Sequence, residues 1–526
     1  MTRRRIVRLA MLAGVGSLAA ALGCTSILGL DETRLRDDSA GDGGPDARQD
    51  GSEPIGDAKS DAPVLPTGCV ARSDDADAGD PSAFFVQKTT GYAGPDASYV
   101  RCTVGALEPS AIQVYVLTNA GFRGPLQNGA RVDGGVRFDA PPEGDRYVLD
   151  GADRRLYVVQ GHRLDIGTDV LGRPDAVPAS GEKLTVTETT SSSGGVTWKI
   201  GGSVSSGIAA PTGTPRTWAF TLPNGASLLD GKRGDVAWLL GTKPDNSIGG
   251  EKVAEACALS DSLQMKAKDT TSAQVGCTTV PLRKTRVGIT HQSLEKCLPN
   301  RTSERDSLTF DVWPQSPESL HPVYASGRGD GPLPENSRLY RGPLTRPNTS
   351  EYDVEFLVPA PPKWALIGEA RTFVAHPVRR TDGSNSPRAW EDSVTSTQAV
   401  TNPYTVNWLA PAAAAKVTLN GNDVLANPVT GATRTPTIAI APSTNSSCSD
   451  PKGYRITIVD SETANRRYEI ITTAPTVTLL DGMLENDKEY VLLTTTRYAE
   501  AYSQEEPWRA KLRTGYAVVT SHAFKP

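Results

Sequence analysis

The chain has 526 residues and carries 55 lysines and arginines against 60 aspartates and glutamates, a formal net charge of −5. Nucleic-acid binding needs a basic face, so this acidic balance argues against DNA or RNA as a partner. At roughly 100 to 200 residues per domain, the length predicts about three or four domains. The 50 glycines and 39 prolines, about one residue in six, predict many turns and few long helices.

The first 24 residues have the pattern of an export signal. Four of the first eight residues are arginines, an apolar run covers residues 9–22, and Ala21 and Gly23 place small residues before Cys24. This pattern resembles the lipobox of bacterial lipoproteins. At the position of Ala21 that family usually carries leucine, valine or isoleucine.

The resemblance implies that residues 1–23 are a removed signal peptide and that Cys24 is lipidated, with palmitate among its acyl chains. Two or more chains hold a protein stably on a membrane. In some lipoproteins an aspartate directly after the lipidated cysteine retains the protein at the inner membrane. This chain has Thr25 at that position, so the resemblance implies the outer membrane. Two alternatives stay open: a secretory signal cut elsewhere, or a transmembrane helix, for which the run of about 14 residues is short against the roughly 20 required.

Residues 24–66 are predicted to form a disordered tether. From Asp31 to Pro63 there are ten acidic and four basic residues, and the first aromatic residue of the chain is Phe84. Such a segment cannot bury enough apolar surface to offset its ordering entropy. A coil of about 40 residues reaches about 35 Å on average, so the folded part is expected to stand clear of the lipid headgroups.

Residues 67–300 are predicted to be all-β, as two sandwiches divided near Pro178. Apolar residues alternate with polar ones, which places each set on one face of a strand, and pairs such as Asp133-Gly134 indicate hairpin turns. The alternating residues are Ile112, Val114, Val116, Val196, Trp198, Ile200, Trp218, Phe220 and Leu222. One stretch, Val253–Ala267, is predicted to be helical.

Residues 405–526 carry the spacing of a known sandwich. Tyr454, Ile456 and Ile458 alternate on one face, and Leu484 precedes Tyr490 by six residues across a polar turn. This arrangement resembles the E–F corner of a fibronectin type III domain. The resemblance implies a two-sheet sandwich in which the tyrosine hydroxyl bonds to the backbone at the corner while its ring joins the core.

Residues 301–404 are expected to form another β-sandwich. Ile367 precedes Phe373 by six residues, and Phe373 precedes Trp390 by 17 residues. This spacing resembles the corner and the following loop of the C-terminal module, although phenylalanine lacks the corner hydroxyl. The segment is therefore predicted to be a sandwich, with a second fibronectin type III-like copy as one possibility.

Six cysteines follow the lipidation candidate Cys24. Their even number in an exported chain predicts disulfides, and the absence of a CxxC pair argues against a zinc ribbon or a thioredoxin-type site. Six cysteines allow 15 pairings, and we assign nearest neighbours. The disulfide candidates are Cys69, Cys102, Cys257, Cys277, Cys297 and Cys448.

No catalytic, cofactor or metal residue stands out in the sequence. There is no GxSxG, HExxH, P-loop or GxGxxG motif, and no two histidines have metal-ligand spacing. Arg328-Gly329-Asp330 is predicted to be a chance match to an integrin-binding tripeptide, and residues 382–385 to be an ordinary turn rather than a calcium loop. The five histidines are His162, His291, His321, His376 and His522. Trp198, Trp218 and Trp238 are predicted to lie in the core rather than stack on sugars.

These features predict a lipid-anchored bacterial envelope protein whose β-sandwich modules bind or scaffold an envelope protein or a glycan without catalysis. The alternative is an envelope-anchored hydrolase that acts on glycans or peptides through a site in residues 67–300. Two carboxylates brought together by the fold would suffice for such an enzyme, and their sequence spacing does not reveal them.

Overall fold

A computed structural model describes residues 70–71 and 83–526 apart from gaps, of which the longer ones are 94–98, 189–196, 203–207, 276–281, 288–293, 299–304, 316–339, 345–351, 358–364, 400–409 and 500–513. Cys24 and the predicted tether lie outside the described residues. Within these residues the protein is all-β, as the sequence predicts. Two short 3-10 turns lie among them, Pro109–Ala111 and Gly231–Arg233.

The N-terminal module covers residues 70–171. Its strands are β1 (Val70–Ala71), β2 (Ala83–Gln87), β3 (Thr89–Ala93), β4 (Tyr99–Thr103), β5 (Ile112–Thr118), β6 (Gly121–Arg123), β7 (Ala130–Val132), β8 (Gly135–Asp139), β9 (Asp145–Asp150), β10 (Arg155–Val159), β11 (Arg163–Asp165) and β12 (Thr168–Leu171). They pair in the orders β1–β4–β3–β12, β11–β2–β8–β7 and β6–β5–β9–β10. Phe84, Val114 and Tyr157, each at most 1% exposed, join β2, β5 and β10 in one apolar cluster.

The middle module covers residues 183–287. Its strands are β13 (Lys183–Glu188), β14 (Thr197–Gly202), β15 (Ile208–Ala209), β16 (Thr217–Thr221), β17 (Ala237–Asp245), β18 (Gly250–Ala258), β19 (Thr270–Val275) and β20 (Leu282–Val287). They pair in the orders β16–β13–β19 and β15–β14–β17–β18. Pro178 lies in the connection between β12 and β13. Trp198, Trp218 and Trp238 are buried, which confirms the prediction that they are core residues.

The prediction of a helix over Val253–Ala267 is wrong. The first part of this stretch belongs to β18, which pairs antiparallel with β17, and its later described residues are not helical. Alanine, glutamate and lysine favour a helix locally. The backbone partners on β17 and the disulfide at Cys257 instead hold the segment as a strand.

Five strands connect the middle module to the C-terminal module. They are β21 (Arg305–Gln315), β22 (Tyr340–Leu344), β23 (Tyr352–Leu357), β24 (Ala365–Arg379) and β25 (Asn385–Ala399). β22 pairs with β18 and β21, β23 pairs with β20, and β24 pairs with β21 and β25. β24 and β25 form what we term the long hairpin. In the described part of residues 301–404 the strands share their sheets with both neighbours, and a second fibronectin type III-like copy stays a prediction.

The C-terminal module covers residues 410–526. Its strands are β26 (Ala414–Leu419), β27 (Asn422–Asp423), β28 (Val429–Thr430), β29 (Thr437–Pro442), β30 (Gly453–Asp460), β31 (Arg466–Thr472), β32 (Thr476–Thr478), β33 (Tyr490–Ala499), β34 (Thr514–Thr520) and β35 (Phe524–Lys525). One sheet has the order β27–β26–β29–β32 and the other β31–β30–β33–β34. Ile438, Ile456 and Leu492 are fully buried in one cluster that joins β29, β30 and β33.

The three modules are joined by backbone pairing. β10 of the N-terminal module pairs parallel with β31, and β25 of the long hairpin pairs antiparallel with β34. Both outer strands of the second C-terminal sheet therefore have partners from other parts of the chain. The pairings run without interruption through β6–β5–β9–β10–β31–β30–β33–β34–β25–β24–β21–β22–β18–β17–β14–β15.

Candidate functional site

The strand junction between β10 and β31 contains a buried ionic cluster. Arg155 Nε lies 3.0 Å from Glu469 Oε2, and the two side chains are 3% and 6% exposed. The Glu469 carboxylate also lies 3.6 Å from Arg455 and 3.2 Å from Arg466, while Arg155 Nη1 lies 3.3 Å from Asp153. Burial lowers the pKa of Arg155, but its acidic neighbours outweigh this and raise it. A buried pair this well partnered fixes the register of the junction.

Apolar side chains of the N-terminal module also pack into the core of the C-terminal module. Tyr147, Leu156 and Val158 of the N-terminal module belong to the same buried cluster as the C-terminal core, and so does Trp238 of the middle module. The backbone N–H of Thr478, on the edge strand β32, donates to the Tyr147 hydroxyl at 3.3 Å. The N-terminal module thus covers edges of both C-terminal sheets.

The hairpin junction lies on the opposite edge of the C-terminal module. Val378 and Trp390 of the long hairpin pack in one buried cluster with Val459, Val491 and Val518 of β30, β33 and β34. Beside this apolar cluster, β25 pairs antiparallel with β34. Side chains directly opposite each other in such a pair lie on the same face of the sheet and contact one another.

One carboxylate fastens the tip of the long hairpin, residues 379–384. Glu489 accepts hydrogen bonds from the Thr381 backbone and hydroxyl, both at 2.6 Å, and from Arg380 Nε and Ser461 Oγ, both at 2.9 Å. Burial raises the pKa of Glu489, but these hydrogen bonds outweigh it and hold the pKa below its ordinary value. The ionised carboxylate therefore ties the hairpin tip to the turn after β30.

Two histidines also lie at the hairpin junction. His376 is 7% exposed, and its Nε2 lies 3.0 Å from Oδ1 of the buried Asp392. The same Asp392 oxygen accepts the backbone N–H of Thr520 at 2.7 Å. His522 Nδ1 accepts the backbone N–H of Arg379 at 3.0 Å. These histidines connect the hairpin to β34 and the segment that follows it.

Tyr490 and Leu484 both lie in the core of the C-terminal module. Tyr490 is 1% exposed, and its hydroxyl accepts a hydrogen bond at 2.9 Å from the backbone N–H of Glu485. Its ring packs against Phe524, with centroids 5.7 Å apart. Leu484 is 3% exposed and belongs to the same core cluster. The polar turn between them is thus held against the end of β33.

The disulfide candidates fall into described and undescribed residues. Cys297 and Cys448 form a disulfide, which is the pair that nearest-neighbour assignment gives. Cys102 and Cys257 are also disulfide-bonded. Cys69 and Cys277, the partners that we assign to them, lie outside the described residues. The Cys297–Cys448 bond ties the end of the β-rich region to the C-terminal module across 151 positions.

The remaining sequence candidates do not converge on a reactive centre in the described part of the chain. No group of three or more His, Cys, Asp or Glu residues there could hold a metal ion. Asp382 accepts the Ser384 backbone N–H at 2.8 Å, so this segment is the predicted ordinary turn. His162 is exposed. His291, His321 and residues 328–330 lie outside the described ranges.

Within the described ranges, no helix is long and apolar enough to span a bilayer.

Comparison with known proteins gives no family for this chain. No protein-family model matches it, and no curated protein matches it significantly.

The side chains that join the modules are the functional residues that sequence reasoning missed. Arg155 and Glu469 are 314 positions apart, and Arg380 and Glu489 are 109 apart. In the sequence, each of the four resembles an ordinary surface charge. One signal was present in the sequence, a charged residue next to apolar strand residues in Arg155-Leu156-Tyr157. Such a residue predicts an ion pair, because buried charges need partners.

Proposed function

We propose that this protein is a lipid-anchored, non-catalytic component of the bacterial outer membrane whose β-sandwich modules form one rigid platform for binding or scaffolding. The observation that supports it best is the continuous strand pairing through both junctions. Modules on flexible linkers move independently by default, whereas a large shared core prevents this. A platform of this kind holds its binding surfaces at fixed separations.

The C-terminal module is proposed to be fibronectin type III-like. Its strands β26, β29 and β32 pair in that order, and β31, β30, β33 and β34 form the facing sheet. Two such sheets form the kind of sandwich that the resemblance implies. The buried Tyr490 with its backbone partner Glu485 supports the same assignment. Sandwiches of this type are interaction modules more often than catalytic ones, and this favours binding.

The partner is proposed to be another envelope protein or a glycan, reached through the tether of residues 24–66. A reach of about 35 Å places the platform above the headgroups, where such partners lie. A glycan array and a pull-down from envelope extracts, both with residues 24–526, test this proposal. Specific retention supports it, whereas turnover of a glycan or peptide substrate would favour the hydrolase.

The anchor is tested by Cys24→Ser, with Thr25→Ser as the matched control. Cells that express each variant are labelled with radioactive palmitate and fractionated. We expect label and membrane association in the wild type and Thr25→Ser and neither in Cys24→Ser, because the substitution removes the thiol that receives lipid. Equal label in all three would overturn the lipoprotein assignment.

A further inference from the structure

The tip of the long hairpin is held by a histidine nitrogen that can accept a hydrogen bond only while it is unprotonated. The backbone N–H of Arg379 donates to His522 Nδ1 at 3.0 Å. A backbone N–H can only donate, so this bond requires Nδ1 to be unprotonated. The Arg379 carbonyl accepts the backbone N–H of Ala523 at 2.9 Å, so the same residue is held from both sides.

A second proton-dependent acceptor holds the other side of the tip. Glu489 receives four hydrogen bonds, three of them from Arg380 and Thr381. A protonated carboxyl loses acceptor capacity and the attraction of the arginine. Carboxylates of this kind titrate well below histidine, so the two acceptors respond in separate pH ranges.

Groups of both charge signs lie at the tip and on the elements packed against it. Arg379 and Arg380 come from the long hairpin, and the Arg380 guanidinium pairs with Glu489 and Glu462. The other charged or titratable groups on these elements include His376, Asp382, Asp392, Asp423, Asp460, Arg467, Glu485 and Lys488. Of these, Asp392 is bonded to His376 and to Thr520, and Asp460 to Arg467, Glu462 and Thr463.

Apolar contacts hold the strands on either side of the tip. Val378 and Trp390 pack in one buried cluster with Val459, Val491 and Val518, and all five are at most 5% exposed. Burial of such side chains contributes about 1.5–3 kcal/mol each. Residues 379–384 themselves are held by polar bonds, of which those to His522 and Glu489 depend on pH.

We propose that the tip of the long hairpin is a proton-controlled latch, in which protonation of His522 at mildly acidic pH loosens residues 379–384 from the C-terminal module. The latch is closed when His522 is neutral. Its opening frees the tip without unfolding either sandwich.

Hydrogen exchange with mass spectrometry on the full exported chain tests the latch. Protection of peptides that cover residues 376–390 is measured at pH 7.5 and pH 5.5 and corrected for intrinsic exchange. We expect protection to fall about tenfold or more between pH 7.5 and pH 5.5, the range in which histidine side chains change charge. Peptides that cover β13 and β16 should not change. Constant protection at the two pH values would overturn the proposal.

Variants separate the histidine from the rest of the junction. Asparagine offers an oxygen acceptor that does not titrate, so His522→Asn should keep the tip protected at both pH values. His162→Asn, at an exposed histidine in the N-terminal module, should behave as wild type. A full pH-dependent loss in His522→Asn would contradict the proposal. If this variant does not fold, the comparison of the wild-type chain with His162→Asn at the two pH values decides.

Discussion

Arg155 of β10 and Glu469 of β31 form a 3.0 Å ion pair between side chains that are almost completely buried, 314 positions apart in the chain. The two residues are the first of four aligned residue pairs of a parallel ladder. It shows that the N-terminal and C-terminal modules are not independent units, because a buried charge needs its partner in place.

Substitution Arg155→Ala is expected to destabilise the full chain by about 3 kcal/mol. Breaking a buried pair costs roughly 3–5 kcal/mol, and the lower figure applies because Glu469 keeps Arg455 and Arg466. Urea melts followed by circular dichroism measure the change. Arg131→Ala is the control, since Arg131 and its partner Glu108 are 60% and 59% exposed and their pair should contribute at most about 1 kcal/mol. Equal midpoints for both variants would contradict the buried cluster.

The contacts of Tyr490 and Leu484 predict the order of stability of the wild type and two variants. Tyr490→Phe removes the acceptor for the Glu485 backbone N–H, at a cost of about 0.5–1.5 kcal/mol. Leu484→Ala removes a buried side chain from the core and should cost about 2–5 kcal/mol. In urea melts of the full chain, wild type should therefore be most stable and Leu484→Ala least. A reversed order would show that the corner does not support the core.

Local patterns in the sequence predict the strands and the core better than they predict the junctions. Period-two alternation at Tyr454, Ile456 and Ile458 places all three in the core, as found. The spacing of Leu484 and Tyr490 likewise predicts both as buried at the corner. These features depend on residues within a few positions of one another, which a sequence displays directly.

The helix over Val253–Ala267 and the unrecognised junctions have a common physical cause. Local propensity favours the helix, but the hydrogen bonds of β17 are available only in the folded chain. The pairing of β10 with β31 likewise depends on register between strands about 300 positions apart, for which neither strand carries a local signal. Arg155, Glu469 and Glu489 become recognisable as partners only once these strands are placed.

All six cysteines after Cys24 are expected to be oxidised in the exported protein. Alkylation under denaturing, non-reducing conditions with mass spectrometry counts the free thiols, and peptide mapping identifies the pairs. Two or more free thiols among the six would contradict the prediction. The double substitution of Cys297 and Cys448 by serine should lower stability by about 2–5 kcal/mol, since it releases a long closed loop.

Stability of the C-terminal module is expected to fall below about pH 4.5. Burial raises the pKa of Asp460, but hydrogen bonds from Thr463, Arg467 and Glu462 outweigh it and lower the pKa to about 2. The pKa of Glu489 is also lowered. Because both folded values lie below the unfolded values of about 3.9 and 4.3, the ionised groups stabilise the fold at neutral pH, and this contribution is lost as pH falls toward 2.

Asp460→Asn should flatten this dependence. Melting temperatures between pH 7 and pH 2.5 are measured for the wild type, Asp460→Asn and the control Asp487→Asn, an exposed carboxylate of the same module. We expect the variant to be less stable at pH 7 and to approach wild type near pH 2.5, with the control parallel to wild type. Parallel curves for all three would show that Asp460 is not coupled to folding.

Calorimetry of the C-terminal module inside and outside the chain tests the rigid platform most directly. In the full chain, β31 and β34 are paired with β10 and β25, whereas a fragment of residues 405–526 leaves both edges open. We predict that the module melts in one transition with the N-terminal module in the full chain, and that the fragment melts at least about 10 °C lower. Separate transitions in the full chain, with the same melting temperature for the module in both forms, would contradict the platform.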